Sequence, residues 1–201
     1  YRVRRKLLVP PANATARKGL AGTVSTISHA LNVDAYQQLG ALLASLTTCD
    51  LSEALVRRVD ARVRAEPGFS GLRLPELEID IPAATSISSS RGDLEDILTN
   101  LLRNALQAIT TIGSNGEPRL EVRVRHHTDD ITGLLRASVA LLDTARGHLS
   151  TQMIIEAEVS RGLGLVRDLA ERNGGSVRVS ASDGWSKAVV VELDRVDERV
   201  A

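Results

Sequence analysis

Residues 93–109 read Asp-Leu-Glu-Asp-Ile-Leu-Thr-Asn-Leu-Leu-Arg-Asn-Ala-Leu-Gln-Ala-Ile. The apolar members recur every three or four residues, so Leu94, Ile97, Leu98, Leu101, Ala105 and Ala108 share one face of a helix. Asp96, Asn100, Asn104 and Gln107 form a polar stripe beside that face. Asparagine is an indifferent helix former, because its amide competes for backbone groups. Two asparagines one turn apart on the flank of a buried face admit two readings. One is the solvated edge of an amphipathic helix. The other is a ligand site, since asparagine carbonyl oxygens are neutral, hard donors that suit Mg²⁺ held mainly by phosphate and water.

Outward from this helix the periodicity changes repeatedly. On the N-terminal side, residues 72–81 alternate with period two and predict a strand interrupted at Pro75, and Pro82 to Ser90 read as loop. Asp50 followed by Glu53 reads as the cap of a helix running to about Ala65 and stopped by Pro67-Gly68. Two earlier helices are predicted over 13–31 and 35–47. On the C-terminal side, Gly113-Ser-Asn-Gly116 is a turn, and Leu120, Val122 and Val124 alternate with charged residues as a half-buried strand. An apolar strand covers 134–142 and ends at Asp143, and residues 144–161 are irregular or partly helical. A helix over 163–172 closes at Gly174-Gly175, and strands follow over 176–181 and 187–194. Paired strands separated by helices predict an α+β sandwich, a mixed sheet with helices on one face. The domain expectation is a helical segment over 1–48 followed by an α+β domain over 49–201.

The composition narrows the function classes. Of the 201 residues, 43% are hydrophobic but only 2% aromatic, so the core must be aliphatic. Lys+Arg and Asp+Glu balance at 25 each, which gives no support for a nucleic-acid partner. The single cysteine, Cys49, excludes an intrachain disulfide and fits a reducing compartment. No apolar run approaches the roughly 20 residues that span a bilayer. Residues 1–12 are basic and Pro-rich without an apolar core, unlike a signal peptide.

Three segments then carry a family resemblance, over roughly residues 50–194. Asn100-Leu-Leu-Arg-Asn104-Ala-Leu-Gln-Ala108 resembles the N-box of histidine kinases and their relatives among the GHKL ATPases. Asp143-Thr-Ala-Arg-Gly147 resembles the G1 box, with Ala145 where the usual form has a glycine. Arg161-Gly162-Leu-Gly164-Leu165, followed by Gly174-Gly175, resembles the G2 box. The resemblance implies a Bergerat-type α/β sandwich that binds ATP and Mg²⁺. It implies Mg²⁺ on Asn104, Asn100 beside the phosphates, the adenine amino group on Asp143, Gly147 as a nucleotide-binding member of the G1 box, and phosphates against the Gly162–Gly164 turn, to which Arg161 could offer positive charge. Asn100 stands where the hydrolysing branches carry a glutamate general base. Asparagine cannot accept a proton, which favours the kinase branch.

Two parts of the family pattern differ. Only 14 residues separate Gly147 from Gly162, and the only phenylalanine is Phe69, so the usual long lid with its F-box is absent. The phosphoacceptor histidine of such kinases lies on a dimerising helix, and the candidate is His29 in Ser28-His-Ala-Leu-Asn32, with no acidic residue directly after it. His126 and His127 read as structural.

The leading expectation is the ATP-binding domain of a sensor-histidine-kinase-like protein of two-component signalling, which transfers the γ-phosphoryl group to a histidine. It is expected to be cytoplasmic and homodimeric, with a response regulator or other signalling protein as partner. Any membrane association would come only through regions outside this chain. Two alternatives stand beside it: a degenerate, non-catalytic dimerising module that regulates a partner, and a serine kinase of the anti-sigma-factor type.

Overall fold

Three of the four helices among the described residues begin where a serine side chain takes the place of a missing helical turn. The computed structural model describes residues 48–83 and 85–196, all within one structural unit, Thr47–Ala201. Helix α1, Glu53–Arg64, is capped by Ser52, whose Oγ accepts from the Leu55 N–H at 3.3 Å. The cap is therefore Ser52 rather than Asp50. Asp50 lies instead in a two-residue strand, β1 (Cys49–Asp50), and accepts from Ser86 Oγ at 2.6 Å. Its antiparallel partner β3, Ser86–Ile87, falls in the stretch expected to be loop; two residues are too few to show a period.

Helix α2, Arg91–Ile112, contains the whole of the 93–109 segment. Ser90 Oγ accepts from the Asp93 N–H at 3.1 Å, and Gly113, at φ 85°, ends the helix. Its burial is wider than one stripe. Leu102, Leu106 and Ile109 are buried along with Leu94, Ile97, Leu98, Leu101 and Ala105. The extra face is explained by what surrounds it, because α2 packs against α1, against the sheet and against helix α4, Gly162–Arg172. A short helix α3, Thr151–Ile155, precedes α4.

Five strands make the main sheet: β2 (Leu77–Asp80), β4 (Leu120–Thr128), β5 (Leu135–Asp143), β6 (Ser176–Ser180) and β7 (Lys187–Asp194). The order is β2-β4-β5-β7-β6, with β2 parallel to β4 and the other pairs antiparallel. The sheet is mixed, as expected. The predicted strand over 72–81 shrinks to Leu77–Asp80, since Pro75 cannot donate to a ladder.

Alternation sorts the two faces. Val122, Val124, Ala137, Val139, Leu141, Val189, Val191 and Leu193 point into one core with the helices. The opposite face carries Glu121, Arg123, Arg125 and Glu192 around a small apolar patch of Leu142, Ala188, Val190 and Trp185. The core is aliphatic, as the composition requires, and Phe69 is buried in it.

Charged groups tie the helices to one another. Glu95 on α2 receives Arg58 and Arg62 from α1 as well as Arg91 from its own helix, at 2.9, 3.3 and 3.1 Å. The turn after α1 is held by Glu66, which accepts from Arg103 Nε at 2.9 Å. No helix among the described residues is long and apolar enough to cross a membrane. The helices expected over 13–31 and 35–47, and His29 with them, lie outside the described residues.

The Glu66–Arg103 pair yields a pH-dependent prediction. The Arg103 hydrogen bond holds the Glu66 carboxyl below its ordinary 4.5. The folded state therefore takes up this proton at lower pH than the unfolded chain. The stabilisation is full above 4.5 and disappears as pH falls through the lower folded value. Glu66→Gln is expected to cost no more than about 1 kcal/mol at pH 7, because the pair is partly exposed. Urea titrations of both proteins at several pH values should show the difference shrinking below pH 4.5 and constant above it.

Candidate functional site

A pocket of ≈ 200 Å³ opens between α2 and the ends of β5 and β7. Alpha helix α2 supplies Leu101, Asn104, Ala105 and Ala108; the strands supply Leu141, Asp143, Lys187 and Val189. The segment after β5 supplies Arg146, Gly147, His148 and Leu149, and Leu163 comes from α4. At this size it suits a flat ring better than a large ligand, for which pockets run to about 300–1,000 Å³.

Asp143 is the floor of the pocket. It ends β5 pointing to the helical side, in register with inward-facing Leu141, and only 2% of it is exposed. Its Oδ1 accepts from the Ala145 N–H at 2.9 Å and lies 2.9 Å from Lys187 Nζ. Burial raises the carboxyl above its ordinary range, and Lys187 opposes that rise. Ala145 itself is buried and does not line the pocket, so its methyl group does not fill the space above Asp143.

Asn104 stands on the opposite wall. Its amide Nδ2 is sealed from solvent and has no hydrogen-bond partner. A buried amide group without a partner costs about 1–3 kcal/mol, so this one needs a reason. The start of α4 lies beside it. A Cβ placed on Gly162 would sit 3.7 Å from Asn104 Nδ2, and Gly162 holds φ +59°. Arg161, the N-cap of α4, gives no side-chain cap, and the N–H groups of Gly162, Leu163 and Gly164 have no partner among the described residues. Free N–H groups and the positive end of the helix dipole make an anion site when a second polar group faces them.

The structure thus brings together Asn104, Asp143 and Gly147, with Gly162 at the edge. It does not bring in three others. Asn100 is 8% exposed, donates from Nδ2 to the Asp96 carbonyl of its own helix at 2.9 Å, and does not line the pocket. Arg161 points to solvent and pairs with Glu158 at 3.1 Å. Gly164 has a packing role: an added Cβ would lie 2.0 Å from the Glu158 carbonyl oxygen. The glycine lets the chain before α4 lie flat on the helix.

That chain is anchored as well as short. Thr151 Oγ1 accepts from the Val179 N–H of β6 at 2.9 Å, Ile154 is buried in the core, and Arg167 of α4 donates to the Ile154 carbonyl at 3.0 Å. His126 and His127 are remote from the pocket lining. His126 shares a 2.9 Å hydrogen bond with Thr85, and His127 faces Glu192 at 3.6 Å.

Lys187 is the pocket residue that the motifs do not mark. The signal for it is parity: it leads β7 on the same side as Val189, Val191 and Leu193, which face the core. A lysine in step with inward valines must find a buried anion, and Asp143 is directly across the ladder.

No family model and no curated protein matches the sequence. Solved structures do resemble the fold. The ATP-binding domain of PrrB from Mycobacterium tuberculosis matches at 16% identity with a TM-score of 0.55, over 75% of this chain and 98% of that one. The histidine kinase AdeS of Acinetobacter baumannii matches at 18% identity and 0.51, over 94% of this chain and 88% of that one. The histidine kinase domain of the blue-light-activated kinase EL346 from Erythrobacter litoralis matches at 15% identity and 0.50, over 70% and 59%. The chain has the α+β fold of histidine-kinase ATP-binding domains.

The two glycines at the start of α4 are distinguishable by stability. Gly164→Ala forces backbone apart and is expected to cost about 3 kcal/mol or more. Gly162→Ala meets only the left-handed backbone penalty, about 1–2 kcal/mol. Chemical unfolding of the two variants checks the ranking; equal losses would mean that the Glu158 contact is not a constraint.

Proposed function

We propose that this domain binds Mg-ATP and acts as the ATP-binding part of a sensor-histidine-kinase-like protein, delivering the γ-phosphoryl group to a histidine. The observation that carries this is the meeting, in one pocket, of a buried carboxylate and an unsatisfied asparagine amide at an uncapped helix start. The Asp143 carboxylate suits the amino group of adenine. The apolar walls from α2 and the sheet suit the faces of the ring. Asn104 and the free N–H groups at the start of α4 suit a metal-bound triphosphate, since neutral donors do not repel its charge. Arg146 and His148 line the same opening and add donors near it.

Asn104 would hold the Mg²⁺, which neutralises phosphate charge when bound. The contribution of this chain is positioning and electrostatics. Asn100 offers no general base, and its amide is turned back into α2. That supports transfer to a protein acceptor over hydrolysis. His29 remains the proposed acceptor within this sequence. The response regulator, the homodimer and the cytoplasmic setting belong to the same proposal.

A second reading has its own support. The segment between Gly147 and Gly162 is pinned to β6 and to the core through Thr151 and Ile154. A pinned segment is poorly suited to close over a γ-phosphate and exclude water. This favours a module that binds nucleotide and regulates a partner without transferring phosphate.

Calorimetric titration of the full chain with Mg-ATP separates these. The wild type is expected to bind, and Asn104→Ala to lose about tenfold or more in affinity with Mg present and much less in EDTA. Absence of wild-type binding rejects the nucleotide reading. Acid-labile phosphate on the protein after incubation with ATP supports histidine transfer; acid-stable phosphate points to serine. Binding without phosphate on protein supports the regulatory module.

A further inference from the structure

The pocket floor is more specific than a single carboxylate. Asp143 Oδ1 is taken by the Ala145 N–H and by Lys187, and Oδ2 makes no hydrogen bond among the described residues. The Ala145 N–H is consumed in the same contact, so it offers no donor to a ligand. Lys187 is different. Its ammonium carries three N–H groups. One is directed to Asp143 and one to the Ala145 carbonyl oxygen at 3.3 Å, which leaves one without a partner. The side chain is 13% exposed, and it lines the pocket. One free acceptor and one free donor thus stand side by side on the floor of the pocket, flanked by the apolar side chains Leu101, Leu141 and Val189.

We propose that Lys187 is a base-reading residue, donating to the ring nitrogen N1 of adenine while Asp143 Oδ2 accepts from the adjacent amino group. The inference rests on the reading of the pocket as a nucleotide site and adds a specificity residue to it. The chemistry follows from the edge of the base. Adenine places an N–H donor next to a ring acceptor, which is the complement of the Asp143–Lys187 pair. A ring lacking the acceptor would leave a buried ammonium proton without a partner, and hydrogen bonds to charged groups of this kind are among the strong ones. Guanine presents the reverse order on the same edge, acceptor where adenine has its donor.

The test compares Mg-ATP with Mg-1-deaza-ATP, in which a C–H replaces N1. The wild-type chain is expected to bind the analogue about 10- to 100-fold more weakly. In Lys187→Met the two nucleotides should bind within about twofold of each other. Equal wild-type affinities would overturn the role of Lys187 and leave the ATP site standing; no binding of either nucleotide would reject both. GTP is the control, and GTP binding tighter than ATP overturns the adenine assignment. Because Lys187→Met leaves a buried carboxylate unpaired, it is expected to be less stable. The wild-type comparison of the two nucleotides decides the matter even if that variant does not fold.

Discussion

The structure depends on one helix being buried on three sides while one of its polar residues stays free. Helix α2 gives its apolar residues to the sheet, to α1 and to α4. Burying so many leucines and isoleucines, at about 1.5–3 kcal/mol for each side chain, fixes its rotation. With the rotation fixed, Asn104 has no choice of environment. It must face the end of β5 and the start of α4, and there it finds no protein partner. The Ser90 cap and the three arginines on Glu95 fix the same helix along its length. A site residue held this way is positioned by the core rather than by its own contacts.

The Asp143–Lys187 pair illustrates a second constraint. Charges are costly to bury, and a buried pair is weak as a source of stability. This one sits where β5 ends and β7 begins, its members across the ladder from each other. An aliphatic pair at those positions would pack without a desolvation cost. The retained charges are therefore better explained by what they present to the pocket than by what they add to the fold.

Much of the architecture was legible because long elements carry periodicity. The strands over 120–128 and 135–143, the helix over 91–112 and the closing helix and strands each declare themselves within a few residues. What was hidden was short or set by tertiary contact. Two-residue strands β1 and β3 have no period, so Asp50 passed for a cap when Ser52 holds that position. Asn100 and Asn104 look alike in sequence, one turn apart. Only the packing shows that one amide is turned into its own helix and the other faces the pocket. Gly164 looks like a phosphate glycine in sequence, and only the structure shows that the Glu158 backbone also requires a glycine there. Lys187 lay in no motif. The parity of β7 was the clue, and it becomes meaningful once Asp143 is known to lie opposite.

The anchoring of residues 148–161 has a consequence for timing. A loop that folds over its ligand must lose conformational freedom at the moment of binding, and it slows both arrival and departure. Here Thr151 is already bonded to β6 and Ile154 already sits in the core. A molecule entering the pocket meets finished walls and has little chain to order. Such a site is expected to equilibrate quickly, so that its occupancy would follow the surrounding concentration of ligand from moment to moment instead of storing a memory of it.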